Sequence, residues 1–582
     1  MRAEGRRVAA WLLLGAAPSV LAAQSEAPAQ ATLAAVHPAT PEAATLQRLV
    51  AAPALASMRH PDVSDVRAGM RRLYERAGWS LRWTETGRPT PALRAAVQRF
   101  LAAGAHGLEP ADYDATAHDS VLARLERGEA LAPDSLAAFD ARVSASVLRY
   151  VGAMRHGRVR LGWKEDTLVA RRPSADVEPQ VDSILRAPEP ALAFAQLDAR
   201  GAGYPRLMAA LARARHAASD SSLALPAIRP PVKPGSRLVE ASGLRAFLVG
   251  IGEPVATPAG LEPGLDTVYD ASLVEAVQSF QRAEGLKADG VLGQATLDKL
   301  ARAPAWRVRQ LELALERWRQ LPDAPDSTYI RVNIPEFRLR VMQPTLMGWQ
   351  EQVNMAVVVG GGGRNQTPEM VDSVETIVFR PYWNVTPRIM RDELKPKAME
   401  DSTYLAKQGM ELVKGRTVVP ATPENLALIG DSVRIRQTPG AQNALGKVKF
   451  VFPNALGIYL HDTPTRSTFR RDRRAESHGC VRLEDAPSLA RWMLRDQPEW
   501  TEARMREAMN GTKPVDAKLT SPIPIRLEYA TVTVAEDGTL HRYPDVYGRD
   551  GTLDRVLRSG YPYPAKATPV KAILNPSKKL RS

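Results

Sequence analysis

The spacing of apolar residues changes character once along the chain, near position 326. Before it they recur with helical spacing; after it they alternate. Val66, Met70, Leu73 and Tyr74 share one helix face. Leu93, Val97, Phe100 and Leu101 do the same behind Pro91, a residue suited to a first helical turn. Trp79, Leu81 and Trp83 alternate as a short extended piece, and the segment 107–110 breaks the pattern. It returns over 139–154 through Val143, Val147, Tyr150, Val151 and Met154, and short helices continue over 185–215. The reading for 58–222 is a helical scaffold, its aromatics belonging to the core. Prolines 226, 230, 231 and 234 make 223–235 a semi-rigid linker.

Residues 236–302 predict a small three-helix module. Leu244, Phe247 and Leu248 begin the first helix. Asp270 caps the second, on which Leu273, Val277 and Phe280 line one side until Gly285 stops it and Leu286 closes over the end. Asp289-Gly290 is a turn pair, and Leu297 and Leu300 face inward on the third helix. A connecting helix, with Val308, Leu311, Leu315 and Trp318 on one side, is assigned to 306–325. Beyond it Ile330, Val332 and Ile334, then Phe337, Leu339 and Val341, alternate with polar residues as half-buried strands of an antiparallel pair. Further strands are predicted at 353–359, 374–379, 448–452, 457–461 and 525–534. The glycines at 360–363 lack the Lys-Ser/Thr ending of a phosphate loop and read as a flexible turn. Between 384 and 445 the alternation is lost among Pro387, Pro396, Pro420, Pro423 and Pro439. So long an insertion in a sheet domain predicts a lid. After Cys480 comes a helix with Leu489, Trp492 and Met493 on its buried side. The fold class is α+β and multidomain, with a mostly β domain over 326–560 and a loose basic tail over 561–582.

At the start, Arg2, Arg6 and Arg7 precede an apolar run over 8–14 and then small residues. That order predicts a secretory signal peptide over 1–23, cleaved after Ala22 or Ala23, and directs the chain to the periplasm or cell envelope. The run falls short of the roughly 20 residues of a membrane span, so membrane contact is expected only through an uncleaved signal. Residues 24–57, rich in Ala, Pro, Gln and Thr at their start, read as a flexible tether.

The 582 residues include 44% hydrophobic and 24% charged side chains, an ordinary globular balance that at this length suggests about three to four domains. The net charge of +14 favours anionic partners, but no nucleic-acid-binding signature accompanies it. A single cysteine, Cys480, excludes an internal disulfide framework.

That cysteine sits in Ser477-His478-Gly479-Cys480-Val481-Arg482, and His461 lies nineteen positions earlier at the end of a strand. A thiol attacks as thiolate, and a neighbouring imidazole that takes its proton is expected to lower its pKa. His478 is too close in sequence to align its ring with the sulfur, so His461 is assigned as the base. The N–H groups of Gly479 and Cys480 are candidates for an oxyanion hole, each worth about 2.7–4 kcal/mol. Ser477 and His478 support the loop, and Arg482 suits a substrate carboxylate or the loop backbone. Three blander readings compete: a buried hydrophobic cysteine, a zinc site of His461, His478 and Cys480 that lacks a metal-ligand spacing, and a solvated arginine loop at 466–474.

The module motif, Val277 to Gln281 with Gly285-Leu286, Asp289-Gly290, Gly293 and Thr296, resembles the peptidoglycan-binding domain 1 family. The set His461 with 477–482 resembles the L,D-transpeptidase catalytic (YkuD) family. The flanking 381–385, 439–446 and 450–454 are similar to its larger, YcbB-type branch. The resemblance implies a periplasmic L,D-transpeptidase that needs no metal or cofactor. Cys480 would attack the carbonyl of the third residue of a stem tetrapeptide and release D-Ala. A second stem would take the acyl group in a 3→3 cross-link, and carbapenems would acylate the same sulfur. It further implies that the carbonyl of Asp462 orients the base and that Arg482, Tyr459 and Trp383 contact substrate. The partners are peptidoglycan stem peptides, with other wall-synthesis proteins as candidates. Relatives that hydrolyse the acyl-enzyme, as L,D-carboxypeptidases or lipoprotein-detaching enzymes, and a non-catalytic wall-binding scaffold stay open.

Overall fold

A computed structural model describes residues 40–164, 167–173, 176–198, 201–256, 267–321, 326–346 and 348–570. The signal peptide expected over 1–23 lies outside them. Among the described residues no helix is long and apolar enough to cross a membrane.

The helical scaffold forms as the periodicity predicts. Helices Arg67–Arg76, Pro91–Leu101, Ala115–Glu126 and Pro133–His156 bury one core that holds Met70, Tyr74, Phe100, Tyr150 and Trp83. Thr90 caps the Pro91–Leu101 helix by accepting the Leu93 N–H, with proline in the first turn. The expected tether is shorter than 24–57. Helix Pro41–Ala51, capped by Thr40, puts Leu46 and Val50 into the scaffold core. Those two apolar residues four apart are enough to dock a helix, and the alanine-rich composition before them conceals it. The tail is also shorter than 561–582. Tyr561 and Tyr563 are buried in the scaffold, and Thr568–Pro569 pairs with strand Thr167–Arg171. The rest, 571–582, lies outside the described residues.

The segment 223–235 is not a free linker. Ile228 and Val232 enter the core of the three-helix module, and Val232 bridges Leu292. The module's third helix and the connecting helix are one element, Gln294–Trp318, which runs through Pro304. An interior proline typically costs about 3 kcal/mol. Burial on both sides offsets it. Leu297 and Leu300 lie in the module core, Leu311 and Leu315 pack on helix Gly203–Ser219, and buried Arg307 pairs with Glu253. The same helix joins the third body. Arg309 holds Asp554 at 2.5 Å, and Arg317 holds Asp550.

The C-terminal body is built on nine strands: β1 Tyr329–Asn333, β2 Arg338–Thr345, β3 Gly348–Gly360, β4 Met370–Phe379, β5 Val448–Val451, β6 Leu460–His461, β7 Ala475–Ser477, β8 Val481–Leu483 and β9 Val515–Glu528. Their order is β7-β3-β8-β6-β5-β4-β9-β1-β2, and β2 also pairs with β3, so the sheet closes on itself. Closure removes the edges that an open sheet leaves unpaired. Inside lie Ile330, Val332, Leu339, Val357, Phe379, Phe450, Leu460 and Val481. The α+β multidomain fold stands as the pattern predicted.

The insertion at 384–445 is more ordered than a run of short helices. Strands Met410–Lys414, Thr417–Val419, Val433–Gln437 and Trp383–Asn384 make a separate four-stranded sheet. It has its own core, with Val385, Leu394, Leu412 and Ile435. It leaves and rejoins the main sheet between β4 and β5, which are paired neighbours, Phe379 opposite Val448.

Candidate active site

Strands β5, β6 and β8 lie side by side and set the chemistry by alternation. Val448, Phe450, Leu460 and Val481 point into the core. Lys449, His461 and Arg482 therefore point to the other face, and the register aligns them: Lys449 opposite His461 on one side, Arg482 opposite it on the other. Tyr459 and Cys480 precede His461 and Arg482 by two positions and share that face. The rings of Tyr459 and His461 lie 5.7 Å apart, and Lys449 Nζ sits 4.0 Å from the Tyr459 ring centroid. The structure thus brings Cys480, His461, Tyr459 and Arg482 together and adds Lys449, which motif reading missed. Its signal is the polar position inside Val448-Lys449-Phe450.

His461 is buried, and its Nδ1 donates to the carbonyl of Asp462 at 2.5 Å. That bond leaves Nε2 as the free nitrogen. Burial first, then Arg482 and Lys449, hold the imidazole pKa down at about 3. The Asp462 side chain braces the turn beside the ring: it accepts from the Lys447 N–H at 2.8 Å and from Arg466 at 2.6 Å.

Cys480 is partly exposed, and its thiol donates to Gly457 O at 3.7 Å. Asn454 fixes that acceptor loop, taking the Ile458 N–H at 3.0 Å and donating to the Ile458 carbonyl at 2.8 Å. Burial pushes the thiol pKa up. Hydrogen bonds from Tyr459 and the charges of Lys449 and Arg482 pull it down by less. The expected lowering by a neighbouring imidazolium does not appear, because His461 between two cations in a buried row stays neutral. At rest Cys480 is a thiol and His461 a neutral imidazole.

The loop that carries the sulfur is tied through Ser477 O, both backbone groups of Gly479 and Cys480 O. Ser477 Oγ donates to Cys480 O at 2.5 Å and accepts the Gly479 N–H at 3.1 Å. Gly479, at φ +119°, gives its carbonyl to Thr367 Oγ1 at 2.7 Å. An oxyanion hole from the Gly479 and Cys480 amides is therefore not what the loop offers: the first amide is bound to Ser477. The Cys480 N–H has no acceptor among the described residues. The glycine run at 360–363, expected as a flexible turn, packs beneath this loop. Gly361 N–H donates to Ser477 O at 2.8 Å, and Gly360 N–H to Thr367 Oγ1 at 2.8 Å. A Cβ at Gly360 would lie 1.9 Å from Asn365 O. Only glycine fits.

Among the described residues the insertion reaches the site through His478, Arg364 and Tyr459. His478 Nε2 pairs with Glu393 of the insertion at 2.7 Å, so it faces away from the sulfur. Arg388 donates to Arg364 O at 3.3 Å. Trp383 hydrogen-bonds Tyr459. Arg482 has no hydrogen bond or ion pair among the described residues, and burial lowers its pKa. No three His, Cys, Asp or Glu side chains among the described residues converge as a metal would require.

Comparison with known proteins places these parts. Residues 327–516 match the YkuD family, described as "L,D-transpeptidase catalytic domain". Residues 68–211 match "Scaffold domain" and 259–300 match "Putative peptidoglycan binding domain". A Haemophilus influenzae protein named "Putative L,D-transpeptidase" is 33% identical over 249 residues, 42% of this chain and 49% of that protein. The chain thus spans about half the length of that relative. A solved structure titled as a fused Zn-dependent amidase/peptidase/peptidoglycan-binding domain-containing protein from Clostridium acetobutylicum aligns over 52% of this chain and 100% of its own. At 10% identity and a TM-score of 0.14 it carries no argument.

Proposed function

We propose that this chain, which carries a YkuD-type L,D-transpeptidase catalytic domain beside a scaffold domain and a peptidoglycan-binding domain, is a peptidoglycan L,D-transpeptidase of the cell envelope. Cys480 is the nucleophile and His461 the base. The observation that carries this reading is one row of groups on one face: the partly exposed sulfur, the imidazole held by Asp462 O, and unpaired Arg482.

His461, neutral at the outset, takes the thiol proton through Nε2 as the sulfur attacks the carbonyl of the third stem residue. A tetrahedral intermediate forms, and its oxyanion is met by the Cys480 N–H. Tyr459 keeps its proton, since burial and the sulfur's charge push its pKa up, so it is a donor beside the reacting atoms. The imidazolium returns the proton to the leaving amine of D-Ala. The side-chain amine of a second stem then attacks the thioester, gives its proton to His461, and releases Cys480 with a 3→3 cross-link. Arg482 suits the substrate carboxylate. The same sulfur is open to carbapenems.

Incubating the full chain with a stem tetrapeptide monomer and weighing the products tests this. Cross-linked dimer is the expected result. Tripeptide alone assigns an L,D-carboxypeptidase or a lipoprotein-detaching hydrolase, in which water is the acceptor. No turnover leaves a wall-binding scaffold.

A further inference from the structure

We propose that the cleft between the scaffold and the far side of the main sheet binds an anionic glycan strand, at a second site remote from Cys480. The cleft has a volume of about 1320 Å³. Small-ligand pockets run from roughly 300 to 1,000 Å³, so this one has room for an oligomer. The end of helix Pro133–His156, strands Arg160–Lys164 and Thr167–Arg171, and strands β1, β2, β3 and β9 wall it.

Its charges are out of balance. The wall carboxylates already have cations: Glu336 holds Arg340 at 2.6 Å, Glu351 holds Arg340 at 2.9 Å, Glu528 holds Arg331, Glu536 lies 3.9 Å from Arg206, and Asp198 lies 3.6 Å from Arg99. Arg155, Arg160 and Arg171 have no hydrogen bond or ion pair among the described residues, and all three line the cleft. The Nε of Arg155 is buried with no partner. Arg160 and Arg171 face each other in register across the antiparallel pair. Like charges directly opposite are destabilising, and a buried donor without an acceptor is unfavourable. A bound anion relieves both defects.

The aromatic wall narrows the class. Half-buried Trp349 meets Tyr329 edge-on at 5.1 Å, and Trp318 lines the same cleft. Flat apolar faces beside guanidinium groups with no partner among the described residues suit sugar rings that carry carboxylates. From Trp349, at the mouth, to Gly360, under the catalytic loop, β3 advances eleven residues, about 36 Å at ~3.3 Å each. The cleft is therefore no extension of the reaction site. A polymer longer than that span could rest one segment in the cleft and present another to Cys480. The inference rests on the wall-polymer reading above.

The test uses the full chain, Arg160→Glu/Arg171→Glu, and Arg155→Gln as a milder second variant. The probe is peptide-free glycan strands that keep their lactyl carboxylates, titrated by tryptophan fluorescence. At least tenfold weaker binding by the double variant is expected, with a several-fold loss for Arg155→Gln. Acylation of Cys480 by a small tetrapeptide should stay within twofold of wild type, while KM for polymeric wall rises at unchanged kcat. Equal glycan binding by the variants overturns the proposal, as does inorganic phosphate displacing the strands at low millimolar concentration, which marks a plain anion site. If the wild type itself fails to be acylated by tetrapeptide, the transpeptidase reading falls while the glycan titration still decides the cleft.

Discussion

The loop that carries Cys480 and the insertion at 384–445 are built on opposite principles. In the loop, Ser477, Thr367 and Gly361 occupy the backbone groups around Gly479, and the sulfur sits where a closed sheet holds it. The insertion folds around its own core and, among the described residues, meets the face of Cys480 and His461 through side chains: Trp383 at Tyr459, Glu393 at His478, and Arg388 at a single carbonyl. In the proposed function, reaction geometry belongs to the tied loop and access to an insertion with its own core. A positional tolerance of fractions of an ångström needs the first, and entry of a polymer needs the second.

Predictions that break or sharpen this contrast can be ranked by size. Cys480→Ala should abolish acyl-enzyme formation, and His461→Ala should slow it by about 10²–10⁴-fold, both without a change in thermal melting. Next comes stability. Gly360→Ala sets a Cβ against backbone and should cost about 3 kcal/mol or more, lowering the melting temperature by roughly 6–12 °C. Gly415→Ala in the lid, at φ +64° with open space around it, should cost only about 1–2 kcal/mol and leave the main sheet's melting unchanged. Equal losses at the two glycines would erase the distinction between frame and lid.

Replacing 382–445 by a short turn between β4 and β5 should leave the sheet folded. KM for stem peptide should rise at least tenfold, while alkylation of Cys480 by iodoacetamide proceeds as before. Normal turnover by the shortened protein would deny the insertion any part in substrate capture. The smallest effect is expected at the His478–Glu393 contact. An exposed pair contributes about 0.2–1 kcal/mol, so Glu393→Gln should lower stability by no more than about 1 kcal/mol and change kcat/KM by no more than about fivefold.

Much of this was legible in the order of residues, and what was not has physical causes. The helix faces and the β alternation report burial directly, so the scaffold, the module and the strands around Phe450 and Leu460 could be read. His461 and Cys480 stood out as candidates, because a lone cysteine set among serine, histidine and arginine is an unusual core residue. The pairing of Thr568–Pro569 with strand 167–171 and the docking of Tyr561 and Tyr563 depend on partners hundreds of positions away. No local period encodes them. The glycines at 360–363 look like a loose turn until the chain folded beneath them is known. Lys449 was hidden because a lysine on a strand ordinarily faces water. Only the register with His461 shows where it points. The neutral state of His461 depends on burial and then on Arg482 and Lys449 flanking the ring, a fact of three strands rather than one.

The central claim is that the single sulfur is the acceptor of the acyl group and that a neutral His461 takes its proton. Intact-mass kinetics of acylation by a stem tetrapeptide or a carbapenem, over pH 5 to 9, tests both parts at once. With the imidazole pKa held at about 3, the base is deprotonated throughout that range. One adduct per chain should map to Cys480, vanish in Cys480→Ala, and form with no acid limb near pH 6.5. An adduct that survives Cys480→Ala, or a rate that collapses as pH falls through 6.5, would contradict the account.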